Sequence, residues 1–472
     1  MARPIHSIPA SLLLLLFLFL TACNSNNERL PDSNQIINKR DPAVELIRKY
    51  ISQIYKDKLK INEIQIEQLS WVIDNPVTTP DMDTREVIET IHREIPRALA
   101  RVYCLQLLRR GSEQDYSIFI APQRAADSSN TLNHSSFATL SNKIRKLDAA
   151  SYETLEATAI ISAVTLSPTA KDRAFKYIRH PSVDSVQFLT QTAPYAGDIY
   201  PLARHVMDKY HRSAKTFEVA FMPHSHLRHM MYNEGSLAMY KHITQAANTG
   251  AITQETLDFW YDHWLANIAG FRGHLAPEGS LYLDQNTFMA MTRVKDILDD
   301  ILQGVQLNPM QAYLTSRAQW LNLDKLTRDT GELIALGSIA ASLRLFSPEQ
   351  GKELFNGIKQ LGSVDLQRWI KHVQEQLKVQ PYPAETHGPA LFANAREVVG
   401  LTETIRKVLP VYMNVLDEEK KLRKTGKLPP DLPVSFQEMA SKENIDLILR
   451  AKQPLAITIN LITGIASINK SS

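Results

Sequence analysis

The chain has 472 residues, 44% hydrophobic and 22% charged, with 17 glycines; that balance excludes wholesale disorder, collagen-like repetition and a coiled-coil rod. Lys and Arg number 53 against 50 Asp and Glu, a net charge of +3, which provides no general field for gathering nucleic acid. Scarce glycine argues against the tight turns of a β-sandwich or barrel, so the expected class is mainly α, a multi-helix globular body.

The chain opens with a short polar stretch carrying Arg3, followed by LLLLLFLFL at residues 12–20 and then Thr21-Ala22-Cys23. Nine apolar residues are too few to span a bilayer, which needs ~20, and suit the core of a cleavable secretion signal. Leu20-Thr21-Ala22-Cys23 resembles the lipobox of bacterial lipoproteins, over this corner of the chain alone. The resemblance implies a signal peptide at residues 1–22, cleavage before Cys23, and a cysteine that carries a thioether-linked diacylglyceryl group and an amide-linked acyl chain. Such acyl chains, at ~0.8 kcal/mol per buried CH₂, hold a protein on a membrane without a transmembrane helix. Asn24 stands where an Asp would resemble an inner-membrane retention signal, so the outer membrane is the expected address.

Residues 23–42 are polar, lack apolar periodicity and read as a flexible tether. Three helical regions are expected behind it, at residues 43–179, 180–305 and 306–472. Asp41-Pro42 reads as a helix start, with Val44, Ile47, Ile51 and Ile54 at helical spacing. Residues 84–110 read as a helix broken at Pro96, residues 121–136 as a loop, and residues 137–166 as helix again. Cys104 lies in the apolar run ALARVYCLQLL and reads as a buried, inert thiol. With Cys23 consumed by lipid, the body has no partner for a disulfide.

In the middle region the pattern predicts helices at residues 199–211, 236–247, 254–269 and 285–303. Residues 270–284 (GFRGHLAPEGSLYLD) read as a shaped loop. Residues 416–424 (LDEEKKLRK) read as a solvated helix face, and residues 454–468 as a buried terminal strand or helix.

Sharp catalytic motifs are missing: the chain has no GxGxxG, GxxxxGK[ST], HExxH, GxSxG or CxxC, and no His-Asp pair. Lys424-Thr425-Gly426 and Ser467-x-x-Lys470 stand in the wrong order for a penicillin-interacting enzyme. The anomaly is histidine, with nine of 14 within residues 180–274, about a fifth of the chain. His224, His226 and His229 are candidate metal ligands, since His226 and His229 share a helix face if Pro223 starts one. Asp262, His263, Arg272 and His274 are candidates to complete a catalytic site around a divalent metal. Against this stands an ordinary structural role for most of these side chains. Arg93, Arg97 and Arg101 read as a solvated basic face, and Trp260 with Trp264 as a core stripe.

Two functions follow as expectations. One is a lipid-anchored envelope protein that binds or scaffolds a protein partner, without nucleic acid. The other is a metal-dependent envelope hydrolase using residues 224–274. For the anchor, Cys23→Ala is expected to abolish acyl labelling and signal-peptidase II cleavage. Normal processing and labelling of that variant would refute it.

Overall fold

The structure is a computed structural model that describes residues 33–74, 83–126, 130–181, 185–213, 215–221, 249–250, 252–305, 309–378, 385–430 and 432–469. Helix α1 (Ser33–Ile54) packs with α2 (Glu63–Leu69) and α3 (Thr84–Thr90). Next come α4 (Glu94–Arg110), α5 (Glu113–Ala125), α6 (His134–Arg145), α7 (Ala149–Val164) and the short α8 (Pro168–Ala174). They are followed by α9 (Ser185–Thr192), α10 (Ala196–Ile199), α11 (Pro201–Tyr210) and α12 (Lys215–Ala220). The chain continues with α13 (Gln254–Ala269), α14 (Gln285–Gln303), α15 (Pro309–Trp320), α16 (Thr330–Ser342), α17 (Pro348–Leu361) and α18 (Ser363–Lys378). It closes with α19 (Gly388–Lys424), α20 (Lys442–Arg450) and an antiparallel hairpin of β1 (Ile457–Ile459) and β2 (Ala466–Ile468). The architecture is therefore mainly α, as composition predicts. No helix of the described residues is long and apolar enough to cross a membrane.

One helix organises the N-terminal half. Every residue of α4 from Ala98 to Leu108 is buried, Cys104 among them, and burial pushes that thiol far above its ordinary range. A helix buried on all sides must place its polar groups against neighbours. Arg109 Nη1 donates to the carbonyl oxygens of Ile144 (2.6 Å) and Leu147 (2.7 Å), closing the C-terminal end of α6. Gln106 Nε2 donates to the Lys60 carbonyl (2.6 Å) and to Glu156 Oε1 on α7 (3.1 Å), while its own Oε1 accepts from Lys60 N.

Several expected boundaries shift for local reasons. Helix α1 starts at Ser33 and runs through Pro42, although the packed face begins at Ala43, so the segment read as tether is helical from Ser33. The break expected at Pro96 falls earlier, between α3 and α4. Pro96 sits in the first turn of α4, where no intrahelical N–H is needed. Residues 121–125 belong to α5 despite Pro122. The single helix expected over 137–166 is two, because Asp148 caps α7 by accepting from Ser151 N at 2.6 Å. The run 416–424 is not wholly solvated: Leu416, Glu419 and Leu422 are buried, and Glu419 Oε1 pairs with Arg423 Nη2 at 2.7 Å. The terminal segment is a hairpin whose inner edge buries Ile459 and Ala466, while Ile462 at its turn is 87% exposed.

Burial raises the Glu156 carboxyl from 4.5 to about 7. The folded chain thus keeps a proton that the unfolded chain releases near pH 4.5. The associated stability is full below that pH and is lost as pH rises through about 7. Glu156→Gln is expected to stabilise the protein by about 1–3 kcal/mol at pH 8 and to change little at pH 4.5, measured by urea titration at both pH values. Equal effects at the two pH values would show that Glu156 enters the fold ionised.

Candidate functional site

The site is built on one face of α13. Trp260, His263, Trp264 and Asn267 recur at i, i+3, i+4 and i+7, so they stand in line and all four border a cleft of about 490 Å³. The indoles stack with ring centroids 5.3 Å apart and planes at 18°. Both Trp are buried, so the stripe is core and cleft wall at once.

The other walls are polar. Helix α4 contributes Glu94 and Arg101, two turns apart, and α7 contributes Thr158, Ser162 and Ala163. Asp74 enters after the turn that follows α2. Ser167 and Pro168 begin α8 at the rim, and Leu189, Ala220 and Phe221 add apolar surface. Arg101 is buried, with Nη2 at 4.0 Å from Glu94 Oε2 and Nη1 donating to the Ala159 carbonyl at 3.5 Å. Glu94 also accepts from Arg97. Thr158 Oγ1 and Ser162 Oγ donate to the carbonyls one turn back, each at 2.7 Å, and keep acceptor lone pairs for a guest.

Burial raises the Asp74 carboxyl above its ordinary value, and the attraction of His92 partly offsets this. Burial also lowers the His92 imidazole, against the pull of Asp74. His92 Nε2 is buried and makes no hydrogen bond among the described residues.

Several residues singled out in the sequence are placed elsewhere. His224, His226 and His229 lie outside the described residues. Asp262 does not share the cleft with His263, because neighbours on a helix point about 100° apart. Its buried carboxylate faces α6, with Oδ1 3.2 Å from Lys143 Nζ. Burial lifts it from 3.8 to about 6, and Lys143 opposes the rise.

Arg272 and His274 also stand outside the cleft. Their loop lies flat on α4. Arg272 and Arg97 each place a guanidinium over the Phe271 ring, at 5.7 and 5.4 Å, and Arg97 Nε donates to His274 Nδ1 at 3.4 Å. Burial and the charges of Arg97, Arg93 and Arg272 lower the His274 imidazole. Glu278 pairs with Lys58 at 2.9 Å. The arginine stripe is therefore not a solvated face, because Arg101 is buried in the cleft wall and Arg97 is engaged by this loop. Among the described residues, no group of three or more His, Cys, Asp or Glu stands close enough to hold a metal ion.

The spacing of His263 and Asn267 with the two Trp is visible in the sequence and marks the face. Nothing local marks Asp74, Glu94 or Arg101 as its companions. No family model, curated protein or solved structure matches this chain.

The cleft depends on a close approach. A Cβ on Gly270 would lie 2.4 Å from Arg101 N, and one on Gly273 would lie 2.5 Å from Pro96 O. Backbone, not a movable side chain, fills the space in both cases. Gly270→Ala is expected to cost about 1–3 kcal/mol of stability and to displace Arg101, read by chemical denaturation. A loss under ~0.5 kcal/mol would show that α4 and the loop have slack.

Proposed function

We propose that this chain is a lipid-anchored protein of the bacterial cell envelope, resident at the outer membrane, which binds a small polar molecule in the Trp260–Trp264 cleft. The anchor reading is supported by the run at residues 12–20 followed by Leu20-Thr21-Ala22-Cys23. One observation carries the binding reading. A stacked indole pair lines the same cleft as Asn267, His263, two hydroxyl groups of α7 and the Arg101–Glu94 pair. A guest with one flat apolar face and a hydrogen-bonding edge, such as a sugar ring, satisfies both kinds of wall.

The test is a panel of amino sugars, disaccharides and nucleosides, read by tryptophan fluorescence and melting temperature. One class is expected to quench the indoles and raise Tm. Asn267→Leu is expected to weaken its binding at least tenfold, about 1.4 kcal/mol, with little change in the unliganded Tm. If no class shifts either signal, the cleft is only a packing gap and the binding reading falls.

The second reading is a metal-dependent hydrolase. It is supported by His263 at the cleft and by the sequence enrichment of histidine within residues 180–274. Its measure is the metal content of protein purified without a tag or chelator. A stoichiometric divalent metal that is lost on His263→Ala would support it, and metal-free protein that still binds its ligand would exclude it.

A further inference from the structure

Three exposed aromatic rings and their charged neighbours form a surface that the cleft does not use. Among the described residues the exposed Phe and Tyr side chains are Phe175 (59%), Tyr177 (41%) and Tyr195 (36%). Tyr177 and Tyr195 stack at 4.9 Å, so segments separated in sequence present one aromatic platform, with Phe175 two residues from Tyr177. Exposed rings are costly to leave in water, and elsewhere the fold buries or half-buries them.

The same stretch is basic. Lys176, Arg179 and His180 are exposed, Lys171 is half-exposed, and Asp172 is the sole acid between residues 166 and 180. Arg173 is committed inward, donating to the Ile199 carbonyl at 2.8 Å and lying over Trp71. Aromatic rings beside lysine and arginine are the composition that settles at the headgroup level of an anionic bilayer.

We infer that the Phe175–Tyr177–Tyr195 platform, with Lys176 and Arg179, rests on an anionic phospholipid surface. The inference rests on the lipid-anchored reading, and chain length supports it. Cys23 lies ten residues before Ser33, the start of α1. Fully extended that stretch reaches ~35 Å, so an acylated Cys23 keeps the body within about one domain diameter of the bilayer. At that range even a weak patch is held in contact by its high effective concentration.

The consequence concerns the cleft. Helix α8 begins at the cleft rim with Ser167 and Pro168 and ends beside Phe175. Its seven residues span ~10 Å, so seating the platform on lipid brings the cleft mouth close to the headgroup layer. A guest could then pass between membrane and cleft without crossing bulk solvent.

The test uses the full chain, expressed with its own N-terminus and returned to vesicles of phosphatidylethanolamine and phosphatidylglycerol. Cys104 is buried and Cys23 is blocked if acylated, so Phe175→Cys offers one site for an environment-sensitive thiol dye, and Val364→Cys, 80% exposed, is the control. The dye at residue 175 is expected to shift to the blue and to be quenched by headgroup-labelled nitroxide lipid, while the dye at 364 stays in water. Adding Lys176→Glu and Arg179→Glu is expected to cut the quenched fraction about fivefold.

A dye at 175 that stays in water on these vesicles overturns the inference. A dye shielded only when native membrane proteins are present also overturns it, in favour of a protein partner. Dye uptake by the wild-type chain would report a free Cys23 and sink the anchor reading. The platform would then be scored by the difference in quenching between the 175 and 364 chains.

Discussion

The burial of α4 on every side is the constraint from which the rest of this molecule follows. From Ala98 to Leu108 the helix has no solvent face, and three of its polar side chains reach neighbours in different directions. Arg109 closes the end of α6, Gln106 ties α7 to the segment before α2, and Arg101 reaches the α7 backbone beneath α13. Each of these bonds is worth more through what its absence would leave unsatisfied than through its own strength. The helix thus acts as a template that sets the positions of α6, α7 and α13.

The cleft is a by-product of that arrangement. The loop after α13 can approach α4 closely only because residues 270 and 273 lack side chains, and this approach sets the depth at which the Trp260–Trp264 face stands. Arg101 and Glu94 then form part of a wall, where a bulkier contact would have filled the space. A buried arginine beside a carboxylate and a carbonyl holds its charge against the cost of desolvation. The cleft therefore holds a permanent dipole next to an aromatic surface. That combination favours small polar guests with one apolar face over either ions or pure hydrocarbons.

The outer surface continues the same logic. The start of α8 borders the cleft, and the aromatic platform lies beyond the far end of that helix. A single short helix thus links the binding space to the surface proposed to lie on lipid. Anchor, platform and cleft form one geometric series in the proposed function, from membrane to guest.

What the sequence by itself determined is local: the mainly α class, and those helices whose ends are marked by their own residues. Gln254–Ala269 and Gln285–Gln303 are read to the residue because Thr253 and Asp284 cap their starts and Gly304, at φ 65°, ends the second. The stripe of Trp260 and Trp264 was equally legible, since 3.6 residues per turn is a property of the backbone, but His263 and Asn267 were not read as part of it. Boundaries failed at prolines: Pro96 falls in the first turn of α4, where it is tolerated, while α1 and α5 run on through Pro42 and Pro122. Of the two candidates Asp262 and His263, only His263 reaches the cleft, because adjacency in sequence separates side chains on a helix. Only the tertiary structure decided that Asp74, Glu94 and Arg101 meet that face. Only it decided that Tyr177 stacks on Tyr195, and that Arg272 and His274 serve packing. These associations join residues tens to hundreds of positions apart. They are set by which surfaces α4 leaves to be covered, a choice no local pattern encodes.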